Sequence, residues 1–296
     1  MSRGDRRRTD PAELDSSSVI DPADVERILI PVFDENRLYR GLDIVLALAE
    51  GYEADVLFVY PVVVPSQLPL STEYADDVVD SQRRSFERLL ETATASNVSV
   101  DVDGLLRIGR RQVHIVSTAT AQRDVDLLVQ IPSEADSPAS RFRLSRSERL
   151  ARSVDCDVVE IHRPEMFGGF ASVLVPIRRN PPFERSLATA DALYRAQGTW
   201  IELLCVIPTN ASKTEYLQAK ETLNVTLERL VAFDRASTWV LEADSVEDAV
   251  VEQSEYYDAI VVEKNCQNRF YRMFLDSPAS KVARNAKAPV FTVWGN

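Results

Sequence analysis

The feature that most constrains the fold of this chain is an internal repeat of apolar segments. Residues 27–32, RILIPV, are echoed by residues 172–177, SVLVPI. Residues 125–130, VDLLVQ, are echoed 132 positions later by residues 257–262, YDAIVV. Short apolar runs separated by helix-like spacing predict strands that are buried on both faces and connected by helices. The sequence therefore predicts an α/β fold in which one unit occurs twice.

The repeat divides the chain into three predicted regions. Residues 1–24 carry charges and serines without apolar periodicity, which predicts a disordered tail. Residues 25–163 are predicted to form the first domain and residues 170–296 the second. About fifteen extra residues in the first repeat are predicted to follow Pro61. This excursion, at residues 65–70, is a candidate docking surface for another protein.

Two further patterns give expectations within the repeats. Alternating valines over 98–102, VSVDV, predict the third strand of the first repeat. The segments from Val158 to Ile161 and from Val290 to Trp294 take the closing-strand position in each repeat. Because an unpaired edge strand tends to acquire a partner, these two strands are predicted to pair within the chain.

The charge balance limits the classes of partner. The net charge is −12, and only five of the 34 basic residues are Lys. Attraction to nucleic acid or to an anionic membrane surface is therefore not expected. An acidic chain that prefers Arg to Lys is typical of a halophilic protein, although high-GC codon usage gives the same preference. The longest apolar run, 56–65, is far shorter than the ~20 residues of a membrane span, so no membrane insertion is predicted.

The cysteines and histidines supply few reactive groups. Three cysteines and two histidines stand far apart, which predicts neither a disulfide framework nor a metal site. Together with the lack of a signal-peptide pattern, this favours a cytoplasmic location. His114 and His162 are predicted to be structural. Cys266, near Lys264 and Arg269, is the one thiol that could be modestly activated.

The end of the second repeat resembles a known family. Residues 258–262, DAIVV, and 277–290, SPASKVARNAKAPV, resemble the universal stress protein family, and the repeat extends this resemblance to both halves. The resemblance implies two Rossmann-like domains of the adenine nucleotide alpha hydrolase type in tandem. Each is expected to be a doubly wound parallel sheet of five strands. Members of this family pair through the fifth strand, and many bind ATP.

The residues that would hold ATP in that family are largely replaced. ATP-binding members carry Gly-x-x-Gly and then Gly-Ser or Gly-Thr between the fourth strand and the last helix. The glycines allow the backbone to approach the phosphates, which the helix N-terminus attracts. The matching positions are Glu263, Cys266, Asp276 and Ser277 in the second repeat, and Ile131, Glu134, Leu144 and Ser145 in the first. The resemblance thus implies a member without ATP or another cofactor.

Two alternative ligand hypotheses remain open. Family members hold the nucleotide sugar with an acidic residue after the first strand, where this chain has Asp34 in the first repeat and Arg178 in the second. If a nucleotide binds, Asp34, Ser145 and Ser277 are the candidate residues, although Ser277 also fits a helix cap. Basic residues near the carboxyl ends of the strands could hold an anion or simply form a solvated surface. They are Arg141, Arg143, Arg146, Arg178, Arg179, Lys264, Arg269 and Arg272.

The sequence contains no catalytic signature. Neither a Gly-x-Ser-x-Gly elbow nor a phosphate-binding Gly-x-x-x-x-Gly-Lys loop occurs, so no enzyme is predicted. The leading interpretation is a tandem regulatory or interaction module of the stress response, with a protein partner that the sequence does not identify. The alternative is a nucleotide-binding stress protein with a divergent pocket in the first repeat. A third hypothesis is an anion-sensing regulatory domain of the kind attached to transporters.

Overall fold

The computed structural model describes residues 24–65, 73–96, 98–132, 144–178, 183–264 and 278–295. Among these residues, the first half contains five strands: β1 (Arg27–Pro31), β2 (Asp55–Val63), β3 (Val102–Gly109), β4 (Leu127–Gln130) and β5 (Asp157–His162). Its helices are α1 (Glu35–Arg40), α2 (Leu42–Tyr52), α3 (Glu73–Ala95), α4 (Gln112–Gln122) and α5 (Arg146–Ala151).

The second half repeats this order with one helix fewer among its described residues. Its strands are β6 (Ser172–Pro176), β7 (Trp200–Ile207), β8 (Ala236–Glu242), β9 (Ala259–Glu263) and β10 (Val290–Trp294). Its helices are α6 (Glu184–Gln197), α7 (Lys213–Leu227), α8 (Val246–Gln253) and α9 (Pro278–Asn285). Short 3₁₀ turns lie at Pro164–Met166 and Phe233–Arg235.

The ten strands form one sheet in the order β3-β2-β1-β4-β5-β10-β9-β6-β7-β8. Within each half the pairings are parallel, which confirms the α/β fold of two doubly wound five-stranded units. One apolar cluster beneath α1, α2, α3, α6 and α7 covers one face of the sheet. Separate clusters under α4 and α5, and under α8 and α9, cover the other face. Apolar runs buried on both faces explain why the strand segments lack alternation.

The two halves meet through β5 and β10, the strands that were predicted to pair. They run antiparallel, with Val158 opposite Trp294 and Glu160 opposite Thr292. Helices α2 and α6 pack across the same junction, where Gly51 lies directly against the backbone of Ala192. The antiparallel pairing places the carboxyl edge of one half at the same end of the sheet as the amino edge of the other.

An aspartate before the fourth strand has the same structural task in both halves. Asp126 Oδ2 accepts hydrogen bonds from the backbone N–H groups of Glu26 and Arg27, at 3.0 and 2.9 Å. Asp258 Oδ2 accepts one from Ser172 N–H at 2.8 Å. Each carboxylate thus holds the start of its first strand beside the start of its fourth strand. This shared contact gives a physical reason for the acidic residue that recurs in the repeat.

The first half differs from the sequence-based expectations at its third strand and in where its extra length lies. The third strand is β3, at Val102–Gly109, so the expectation of a strand over 98–102 was wrong; Val98 and Val100 instead pack against the core as the chain enters β3. The extra length lies partly in α3, which has 23 residues where α7 has 15. The predicted tail, apart from Asp24, and the candidate docking surface beyond Pro65 lie outside the described residues.

None of the helices in the described part of the chain combines the length and the apolar character that crossing a bilayer requires.

Candidate functional site

The candidate ligand site of each half lies where the strand order reverses. This point falls between β1 and β4 in the first half and between β6 and β9 in the second. Doubly wound sheets bind ligands in the crevice outside the carboxyl ends of such strands. The side chains at these two edges therefore decide what either half can bind.

In the first half, Asp34 and Ser145 are both engaged as helix caps. Asp34 Oδ1 accepts a hydrogen bond from Arg37 N–H at 3.1 Å and so begins α1. Ser145 Oγ accepts one from Glu148 N–H at 3.0 Å, while Glu148 Oε2 accepts one from Ser145 N–H at 3.1 Å. This reciprocal pair is a capping box, which starts α5. Both predicted nucleotide ligands already satisfy backbone donors of the chain.

The crevice between β1 and β4 is occupied by larger side chains. Ile131, at the first glycine position, packs against Gly41 so closely that a Cβ on Gly41 would lie 2.5 Å from Ile131 Cδ1. The Arg146 guanidinium stacks over the ring of Phe33, 4.4 Å from its centroid, and donates to Gln112 Oε1 at 2.9 Å. Side chains from Phe33, Ile131 and Arg146 therefore occupy this edge of the first half. Glu134 and the basic residues Arg141 and Arg143 lie outside the described residues.

Glu35 is a polar residue of this edge that the sequence did not point to. Its carboxylate accepts hydrogen bonds from Tyr60 O–H at 2.6 Å and from Ser85 O–H. Burial, and then the neighbouring Glu35, raise the pKa of Tyr60, so the phenol keeps its proton. The cluster joins α1, β2 and α3. The three residues are far apart in sequence, so no local pattern could have identified the group.

In the second half, Glu263 occupies the first glycine position at the end of β9. Its side chain is 8% exposed, and Oε1 lies 3.7 Å from Arg185 Nη1. Arg185 Nε also donates to Asp157 Oδ1 of the first half at 2.9 Å. Burial raises the pKa of Glu263 to about 7, against the lowering effects of Arg185 and of a hydrogen bond from the backbone of Ser186. The carboxylate thus occupies the N-terminus of α6, where an anionic ligand would otherwise find N–H donors.

The basic residues predicted for an anion site do not converge in the described part of the chain. Arg178 is exposed beyond β6. Lys264 instead reaches into the first half, with its Nζ 3.8 Å from the ring centroid of Trp294 and 3.4 Å from Glu148 Oε1. Outside the described residues lie Arg179, Cys266, Arg269, Arg272, Asp276 and Ser277.

His162 and Cys156 have structural surroundings, whereas His114 is exposed on α4. His162 lies 3.6 Å from Glu160, a buried carboxylate that also accepts a hydrogen bond from Gln130 at 3.1 Å. Burial raises the pKa of Cys156 to about 12, so this thiol is almost never a thiolate at neutral pH. No set of three metal-ligating side chains comes together among the residues that the structure describes.

Comparison with known proteins gives a likeness of fold. No family model matches the chain, and no curated protein matches it. Among solved structures, a universal stress protein from Archaeoglobus fulgidus DSM 4304 superposes with a TM-score of 0.62 at 15% identity, covering 90% of this chain and 95% of the other. A functionally unknown protein from Pseudomonas aeruginosa PAO1 gives 0.59 at 12% identity, covering 93% and 94% of the two chains.

A third structure has a membrane-transport context. The cytoplasmic domain of a prokaryotic cation chloride cotransporter superposes with a TM-score of 0.56 at 12% identity, covering 92% of this chain and 96% of the other. At such identities the likeness concerns the fold alone. The chain has the universal stress protein fold in a tandem arrangement of two Rossmann-like units, as the sequence resemblance predicted.

Proposed function

We propose that this chain is a regulatory or interaction module of the stress response that acts by binding rather than by catalysis, and that neither half binds ATP. The observation that carries the proposal is the Glu263–Arg185 pair at the switch point of the second half. A carboxylate at the first glycine position fills space next to the α6 N-terminus. When it is ionised, it also repels a triphosphate. A fold can be kept while the groups that bind a ligand are replaced, and here a carboxylate stands where the resemblance implies a phosphate-binding glycine.

The first half supports the same conclusion by a different arrangement. A nucleotide there would have to displace the stacked Phe33 and Arg146 side chains. It would also compete with backbone donors for Asp34 and Ser145. Losing either cap would cost about 1 kcal/mol of helix stability, which reduces the net gain from any contact with the ligand.

The alternative function is nucleotide binding in a divergent pocket of the first half. The specific observation in its favour is that Asp34 and Ser145 both lie at the switch-point edge, after β1 and before α5. Arg146 is close by and could turn from Phe33 toward a phosphate. This alternative predicts one nucleotide per chain, held by side chains instead of glycine backbone.

The test begins with the protein as purified from its own cells. The protein is denatured, and the supernatant is run on anion-exchange chromatography with ultraviolet detection. Calorimetric titration of the folded protein with ATP and magnesium follows, at low and at high potassium chloride. We expect no co-purified adenine nucleotide and no saturable heat. Near-stoichiometric nucleotide would overturn the proposal.

Two variants then locate any nucleotide that does bind. Asp34→Asn removes the acidic candidate of the first half, and Glu263→Gln removes the carboxylate of the second half without changing its size. Binding that is weakened by Asp34→Asn and unchanged in Glu263→Gln would establish the alternative function. Binding that strengthens in Glu263→Gln would show that the carboxylate alone excludes nucleotide from the second half.

A further inference from the structure

A cavity of about 540 Å³ lies at the junction of the two halves, at the end of the sheet opposite to the switch-point crevice of the first half. It opens at the amino ends of β4 and β5, next to α6 and the end of β10. Pockets that hold small ligands usually have volumes of about 300–1,000 Å³ and favour the interfaces between domains. Both the volume and the position of this cavity meet those conditions.

The base of the cavity is apolar. Val25, Leu127, Val154 and Val293 line it and are each at most 5% exposed. Tyr52 lines it as well, and its hydroxyl is hydrogen-bonded to Thr189 of α6 at 3.1 Å. Leu127 and Val293 belong to β4 and β10, Tyr52 belongs to α2, and Val25 and Val154 are buried in the segments that lead into β1 and β5, so these walls are part of the packed core. A ligand that fills it must offer apolar surface.

The rim of the cavity is acidic. Five aspartates line it, and they are Asp24, Asp124, Asp126, Asp155 and Asp157. Two of them have structural tasks, because Asp126 accepts two backbone hydrogen bonds and Asp157 accepts one from Arg185. Asp24, Asp124 and Asp155 are exposed to solvent at the rim.

The single basic residue among the lining residues does not neutralise this rim. Arg185 is already shared between Asp157 and Glu263. The lining residues therefore carry a net negative charge, which favours cations over phosphates and carboxylates. An apolar base also disfavours a hydrated metal ion, which needs oxygen ligands on several sides.

We propose that this cavity binds a small organic cation in which two or more ammonium groups are joined by an aliphatic chain, the chemistry of a polyamine. The methylene chain packs on Val25, Val154 and Val293, while the ammonium groups lie between the exposed aspartates. Both halves supply the walls, so a bound cation contacts the two halves at once and stabilises their junction.

The proposal is tested by calorimetric titration of the full chain with spermidine at fixed ionic strength. The neutral diol 1,4-butanediol and magnesium chloride serve as comparison ligands. We expect saturable binding of spermidine at about one equivalent per chain, with at least tenfold weaker binding of either comparison ligand. Equal binding of the diol would show that charge is not recognised. Equal binding of magnesium would show that the carbon chain is not recognised.

A matched pair of double variants separates a site from general attraction to an acidic protein. Asp124→Asn with Asp155→Asn removes two charges from the rim. Asp55→Asn with Asp101→Asn removes two charges from a second acidic groove that also contains Glu50 and Glu53. We expect the rim variant to weaken spermidine binding at least tenfold, and the groove variant to change it less than twofold.

Equal weakening in both double variants, or no saturable binding by the unmodified chain, would overturn the proposal. Asn tolerates the left-handed backbone found at Asp124, and Asp155 is exposed, so both substitutions should leave the fold intact. If the double rim variant does not fold, the single Asp155→Asn variant is titrated instead. It is expected to bind spermidine about threefold more weakly, or weaker still, than the unmodified chain.

Discussion

Replacing Gly51 with alanine is expected to destabilise the chain, although alanine is the better helix former. Gly51 is buried in α2, and a Cβ at this position would lie 1.8 Å from the carbonyl oxygen of Ala192 in α6. The carbonyl carbon of Ala192 would be 2.5 Å away. A carbon and a carbonyl oxygen normally approach to about 3.4 Å. Helices α2 and α6 would therefore have to separate by roughly 1.6 Å.

The expected loss follows from two opposing contributions. Alanine in place of a helical glycine stabilises a protein by about 0.5–1 kcal/mol. Forcing a methyl group into a packed interface costs about 1–3 kcal/mol, and here the obstacle is backbone that has no alternative rotamer. Separation of the helices also weakens the buried hydrogen bond between Tyr52 and Thr189, at a further cost of about 1 kcal/mol. We expect the free energy of unfolding to fall by about 2 kcal/mol.

The measurement is urea unfolding followed by circular dichroism and tryptophan fluorescence. Gly168→Ala is the matched control, because no heavy atom lies within 4 Å of a Cβ built there. The control should change the free energy of unfolding by less than about 0.5 kcal/mol. A Gly51→Ala protein that is as stable as the unmodified chain, or more stable, would refute the close approach of the two halves. Without that approach only the helix preference of alanine would remain.

Two further predictions concern the junction between the halves. The pKa of Glu263 is raised from 4.5 to about 7, so the folded chain retains a proton that the unfolded chain releases, and stability falls as the pH rises from about 4.5 to about 7. Glu263→Gln should remove up to about 3 kcal/mol of this decline in the free energy of unfolding, measured by urea unfolding at several pH values. An unchanged pH dependence would contradict the raised pKa of Glu263. Val290→Lys puts a charge at a fully buried position beside β5 and should cost about 3 kcal/mol or more, whereas Val225→Lys, on the exposed side of α7, should cost less than about 0.5 kcal/mol. Similar susceptibility of the two variants to limited proteolysis would count against the pairing of β5 with β10.

The central strands of the sheet could be predicted from sequence because they are buried on both faces. A continuous apolar run such as residues 27–32 is typical of a strand that is buried on both faces of a parallel sheet. β3 was misplaced because it is an edge strand with one solvated face, and Gly104, Arg107 and Gly109 interrupt its apolar pattern. Val98 and Val100 alternate more regularly with polar residues than the residues of β3 do, but they lie before the strand and pack against the core.

The contents of the candidate site were less predictable than its position. The sequence shows which residues stand at the positions that the resemblance matches to glycines, but it does not show the partners of those residues. Arg185 contacts Asp157 and Glu263, which lie far from it in sequence and in different halves. Glu35 meets Tyr60 and Ser85 only because α1, β2 and α3 converge. The cavity likewise requires both halves to be placed against each other, so no local pattern reports it.

Residues 263 and 264, at the end of β9 in the second half, contribute to the junction between the two halves. Glu263 reaches the first half through Arg185 and Asp157, and the next residue, Lys264, reaches it through Glu148. A glycine at position 263 could make no such contact, since it has no side chain. Because the halves are antiparallel across β5 and β10, the carboxyl edge of the second half faces the amino edge of the first. Arg185, which belongs to the second half, bridges this carboxylate to Asp157 of the first half, so Glu263 is linked to the other half through an arginine of its own half.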